Sequence, residues 1–179
     1  MPPTGLNVTG RGVPSQVFQE LDSESDRGAF LIGVSYLDEL LQQCIEAKLA
    51  NHALAKRAAG NLAHRANLCL CMGMLTPEEL LDLDALRAIR NKFAHVAQPV
   101  SFSDETVATA CHALRTWQRY HTAFPNSIGQ LADNPKVASI YTVACIASRL
   151  RRRSADATHQ PILDEPTILD TNSFLPFTG

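Results

Sequence analysis

The segment Leu83–His95, LDALRAIRNKFAH, decides how the rest of the chain is read. Its apolar residues Leu83, Leu86, Ile89 and Phe93 recur every three or four positions, the period of a helix with one buried face. The polar residues keep a second phase. Asp84, Arg87, Asn91 and His95 fall in one stripe, separate from the packing face. Arg90 lies five positions before His95, about 140° around the helix at ~100° per residue, so the two do not face each other within one helix. A guanidinium offers forked donors to a phosphate oxygen, and an imidazole moves protons near neutral pH. Asn91 and Lys92 stand beside them to position a phosphate and to add positive field. The spacing fits a structural account equally: an Asp84–Arg87 ion pair, Asn91 as a hydrogen bonder and His95 as a cation at the helix C-terminus.

Working outward, Thr76-Pro77-Glu78-Glu79 supplies an N-cap, a proline at the first helical position and a glutamate that bonds back to the cap, so this helix begins there. If it breaks, the place is near Leu83. Upstream, residues 62–75 form a helix in which Gly73 marks either a close contact or the end, because glycine inside a helix costs roughly 1 kcal/mol relative to alanine. Residues 26–50 carry Phe30, Val34, Leu37, Leu41, Cys44, Ile45 and Leu49 at helical spacing, with Ser23 and Asp26 as a capping box. The segment 52–59 either continues that helix past Asn51 or follows a break there, and Gly60-Asn61 is the clearer stop. A first helix opens at Pro14.

Downstream, Gln98-Pro99 closes the central helix, and Ser103–Thr106 opens one that runs through Val107, Cys111, Leu114 and Trp117 or Gln118. Residues 124–133 read as loop. Asn134-Pro135 caps a last helix with Ile140, Tyr141, Ala144 and Cys145 inward and Arg149, Arg151, Arg152 and Arg153 at its solvated C-terminal end. No strand and no repeat emerges, so the fold is an all-α helical bundle over residues 14–153. Residues 1–13 read as a flexible arm, and 154–179 as an extended or disordered tail.

The 179 residues are 45% hydrophobic and 19% charged with a formal net charge of −2, which argues against a general nucleic-acid coat. Charge is nevertheless segregated: residues 1–46 hold two arginines against seven acids, and residues 47–95 hold seven Lys/Arg against four. Any substrate or partner is met locally. Five cysteines without a C-x-x-C pair read as buried thiols in a reducing compartment. The six histidines show no metal-ligand spacing, no phosphate-binding glycine motif or nucleophile elbow is present, and no apolar run has membrane-spanning length. The expectation is a cytoplasmic protein with no metal, no cofactor and no membrane contact.

Four pieces in this order, GAFLIGVSYLDELLQQCIE (28–46), NLAHRANLCLCMGML (61–75), LDALRAIRNKFAH (83–95) and SFSDETVATACHAL (101–114), resemble the mannitol operon repressor family over roughly residues 25–120. Arg65, Gly73, the Arg87/Arg90/Asn91/His95 set, Phe102, Asp104 and Cys111 carry the likeness, and at Asn67 the chain departs from a lysine usual in relatives. The third piece also resembles the signature of the HEPN superfamily, an arginine with a polar neighbour and a histidine after a gap of four to six; Arg90, Asn91 and His95 match it, with four residues between Arg90 and His95. That resemblance implies a HEPN-like bundle and a homodimer that brings two such helices together. It also implies metal-independent RNA cleavage or RNA binding, with Arg90, Asn91 and His95 catalytic and Arg87, Lys92 and Arg65 contacting nucleic acid. The repressor resemblance implies a non-enzymatic transcriptional regulator acting through DNA or a regulatory protein partner, although no recognition helix stands out in the sequence.

Overall fold

A computed structural model of the chain describes residues 15–49, 51–95, 100–123 and 133–157; the expected arm over 1–13 and most of the expected loop over 124–133 and tail over 154–179 lie outside them, while the last helix runs on to Ala155, two residues into the expected tail. In chain order the helices are α1 (Ser15–Ser23), α2 (Asp26–Lys48), α3 (His52–Ala58), α4 (Leu62–Cys71), α5 (Pro77–His95), α6 (Glu105–His112), α7 (Arg115–Ala123) and α8 (Pro135–Ala155). Every regular element among the described residues is a helix, and none is long and apolar enough to cross a membrane.

α2 and α8 form the most extensive helix pair, and α1, α3, α4 and α5 pack against α2 as well. The periodicity explains this, because Leu37, Leu41, Cys44 and Ile45 of α2 are all fully buried. α8 is covered on more than one side, by α1, α2, α6 and α7, so even Thr142 is buried and returns its hydroxyl proton to Ala138 O at 2.9 Å. From α5, Leu83, Leu86, Ile89 and Phe93 enter the same core. Each such side chain contributes roughly 1.5–3 kcal/mol relative to leaving it in water. Phe93 stacks on Phe30 of α2 with ring centroids 5.3 Å apart, and Phe102 closes the group at 5.6 and 5.8 Å, which fixes the C-terminal half of α5 against α2. Trp117 is buried with Tyr120 and Tyr141 around it.

The caps set the boundaries, and several differ from the sequence expectation. Ser25, not Ser23, caps α2, accepting from Gly28 N at 3.1 Å, while the Ser23 hydroxyl donates to Glu20 O. Asn51 does interrupt: α2 ends at Lys48, and the Asn51 side chain accepts from Leu54 N to start α3. α4 stops at Cys71 rather than running to Leu75. Gly73 adopts φ 72°, a left-handed conformation costly for any residue with a Cβ. Its N–H reaches Leu70 O and that of Met74 reaches Cys69 O, closing the helix. Thr76 and Glu79 form the expected reciprocal cap, Thr76 N–Glu79 Oε2 2.9 Å and Glu79 N–Thr76 Oγ1 3.2 Å. α5 then runs without a break past Leu83.

The expected single helix from Ser103 through Trp117 is two. Asp104 caps α6, and the chain turns at Ala113-Leu114 before α7. The cause is tertiary: Asp82 of α5, only 2% exposed, accepts from Arg115 N at 2.7 Å and Thr116 N at 2.9 Å, satisfying the first amides of α7 from another helix. Two of the four C-terminal arginines of α8 are less solvated than expected, while Arg151 and Arg152 are exposed. Arg149 and Arg153 both turn onto Glu79, at 3.2 and 2.7 Å, and Arg153 also donates to Met74 O. Three cysteines are buried, and desolvation pushes their thiols up, Cys44 to about 11 and Cys69 and Cys111 to about 12; Cys71 is exposed.

Candidate functional site

The polar stripe of α5 opens onto a cleft of about 520 Å³ whose other walls are α2 and the first turn of α4. Arg65, Arg87, Arg90 and Asn91 line it together with Asp38 and Ser35. The fold thus gathers four of the six residues singled out in the sequence, from helices far apart in the chain.

Their states differ. Arg65 is tied down: its Nη1 donates to both oxygens of Asp38, at 2.7 and 2.9 Å, and its Nε donates to Gln42 Oε1 at 3.0 Å. With its side chain 15% exposed, it serves as a brace between α4 and α2. Arg87 meets Asp84 at 3.4 Å across a pair in which both side chains are nearly half exposed, an interaction worth no more than about 1 kcal/mol. Arg90 is half-buried and has no carboxylate within 4.0 Å among the described residues; its guanidinium only grazes Asn91 Oδ1 at 3.5 Å.

Lys92 is turned away. Its Nζ donates to Thr106 Oγ1 at 2.7 Å, whose hydroxyl in turn donates to Asp104. That Thr106 hydroxyl is the main reason the Asp104 carboxyl is held below its usual range, followed by the Val107 N–H, with the charge of Lys92 a smaller contributor. Lys92 therefore belongs to the α6 cap. His95 is the last residue of α5, five positions beyond Arg90, and its side chain lies outside the described part.

A second cleft, about 610 Å³, lies at the opposite end of α5 and is lined by Glu78, Glu79, Arg119, Arg149 and Arg153. Here the charges are spent on one another. Burial alone would raise the Glu79 carboxyl, but the Arg153 hydrogen bond, the Thr76 N–H and the charges of Arg153 and Arg149 outweigh it and hold the group below the usual carboxylate range. Glu78 pairs with Arg119. Sequence reasoning gave Glu79 its capping role but not its two arginines, and it missed Asp38, Gln42 and Asp82 as anchors, because each finds these partners in another element.

Among the described residues no group of three or more His, Cys, Asp or Glu is placed to hold a metal ion. The molecule belongs to the class of all-α helical bundles with a cationic cleft beside a central helix. No protein-family model matches the chain, and no curated protein sequence does. A solved structure does share its fold. The chain superposes on a chain in the X-ray structure of the MtlR–HPr complex from Escherichia coli with a TM-score of 0.57 at 15% identity, covering 76% of this chain and 96% of that one. At this identity the likeness is one of fold.

Proposed function

We propose that the protein is a non-enzymatic regulator that acts by binding a partner protein. The observation that supports this most is the fold shared with a chain of the MtlR–HPr complex over nearly its whole length. The resemblance of residues 25–120 to mannitol operon repressors points the same way. In that structure MtlR and HPr are in complex, and we carry that mode of action to this chain, with an HPr-like protein as the partner.

Electrostatics favour protein over DNA. α7 follows α6 after a tight turn and exposes Arg115 and Arg119, but Glu78 pairs with Arg119 and the Asp82 carboxylate sits on the helix N-terminus. Carboxylates stand where a DNA-reading helix needs positive field. Calorimetric titration of the purified chain with HPr from the same cell is expected to give a saturable complex that His95→Ala leaves unchanged. Absence of that complex at high protein concentration, together with sequence-selective retention of DNA, would overturn the partner reading.

A second reading, metal-independent RNA cleavage by a HEPN-like homodimer, is favoured by one observation: Arg90 and Asn91 line the same cleft as Arg87. A two-fold axis near α5 would answer the 140° offset between Arg90 and His95 by supplying one of them from the partner chain. It predicts a dimer in sedimentation and cleavage of single-stranded RNA in chelator to 2′,3′-cyclic phosphate ends, abolished by His95→Ala. A monomer that leaves a broad RNA panel intact ends this reading.

A further inference from the structure

We propose that the cleft between α2, α4 and α5 is a binding site for a small phosphate monoester, with the phosphate held by Arg87 and Arg90. The inference is independent of the partner reading and concerns a ligand of different size and chemistry.

Charge balance is the first argument. Among the described residues three arginines and His64 line the cleft, and the one carboxylate lining it, Asp38, is consumed by Arg65. Arg87 is held only loosely by Asp84 from outside the cleft lining, and Arg90 has no carboxylate within reach among the described residues. Half-buried guanidiniums held loosely or not at all by carboxylates are uncommon, and here two, Arg87 and Arg90, stand three residues apart on one helix face. The first turn of α4 lines the same cleft and adds about half a positive charge from its dipole. With Asp84 set against Arg87, the surplus is about one and a half positive charges. A phosphate monoester carries about −1.5 to −2 at pH 7, whereas a carboxylate or each phosphodiester carries only one negative charge.

Geometry is the second argument. Guanidiniums present forked donors that suit a phosphate with three free oxygens. Arg87 Nε is buried with no hydrogen-bond acceptor, so this side chain gains by re-aiming toward an anion. At about 520 Å³ the cleft falls within the size range of small-molecule sites. Ser35, Asn61 and Asn91 supply neutral polar groups for a hydroxylated remainder.

The test is a ³¹P NMR titration of the full chain with inorganic phosphate and, separately, with a hexose 6-phosphate, each repeated with a single-stranded RNA oligonucleotide as competitor. We expect saturable binding of both, tighter for the hexose phosphate. Arg90→Gln and Arg87→Gln each weaken it about ten- to hundredfold, Arg90→Lys weakens it less, and Arg119→Gln in the other cleft leaves it unchanged. Binding of inorganic phosphate as tight as that of the sugar phosphate retains the phosphate site and restricts the ligand to the free ion. No binding of either, or equal affinity in wild type and both glutamine variants, overturns the proposal. RNA that binds in an Arg90-dependent way and is not displaced by either monoester also overturns it, assigning the cleft to phosphodiesters. Circular dichroism melts of the two single variants separate lost binding from lost folding, and the HPr titration stands or falls separately.

Discussion

The two ends of α5 carry similar residues and use them in opposite ways. At the N-terminal end, Glu79 and Asp82 are nearly inaccessible, and their oxygens are taken by Thr76 N, Arg149, Arg153, Arg115 N and Thr116 N. Toward the C-terminal end, Arg87 and Arg90 are half-exposed and nearly unclaimed. The first end builds the bundle, joining the 72–76 turn, α7 and the end of α8 to one helix. The second end is held mainly by its apolar face, through Phe30, Phe93 and Phe102, with Lys92 tied to Thr106, and its Arg87 and Arg90 line the cleft. Burial with partners holds the fold together, and partial burial with few of them leaves a charged group free to meet a ligand.

The contrast breaks most readily at Glu79. Glu79→Ala strands two partly exposed arginines and uncaps α5, and is expected to cost about 2–4 kcal/mol in urea unfolding. Because the folded carboxyl is held below 4.5, its contribution is fully present above that pH and is lost as pH falls through the lower folded value. Wild type should therefore lose stability on acidification more steeply than Glu79→Gln in the same titration. Asp82→Ala, which leaves the first amides of α7 without acceptors, should cost about 2 kcal/mol and lower the near-ultraviolet signal of Trp117 beside them. Gly73→Ala forces a Cβ into the left-handed region at the turn leading to Thr76 and should cost about 1 kcal/mol by thermal melt. Arg90→Gln, at the open end, should change unfolding by no more than about 0.5 kcal/mol while weakening phosphate binding about ten- to hundredfold. A large stability loss there would erase the distinction between the two ends.

Much of this was legible locally. The Thr76–Glu79 box, the Asn134-Pro135 start, and the faces bearing Leu37, Leu41, Leu86 and Phe93 follow from spacing over a few residues, and the structure has them so. What escaped was set by residues distant in sequence. Nothing near Ala113 breaks a helix; the break follows from a carboxylate more than thirty positions earlier. Arg149 and Arg153 reach back some seventy positions to Glu79, and the cleft itself exists only once α2, α4 and α5 are packed. The stripe on α5 was visible as a pattern, whereas the brace on Arg65 and the diversion of Lys92 to Thr106 required knowing which neighbour each long side chain finds.

The distribution of thiols gives the molecule a built-in labelling handle. Cys44, Cys69 and Cys111 are shielded and held protonated at neutral pH, while Cys71 stands at the surface on the last residue of α4. The first turn of that same helix walls the cleft, about 14 Å away along its axis. A maleimide fluorophore on the unaltered chain would attach first at Cys71, near enough to sense movement of α4 and far enough from the arginines to leave them unobstructed.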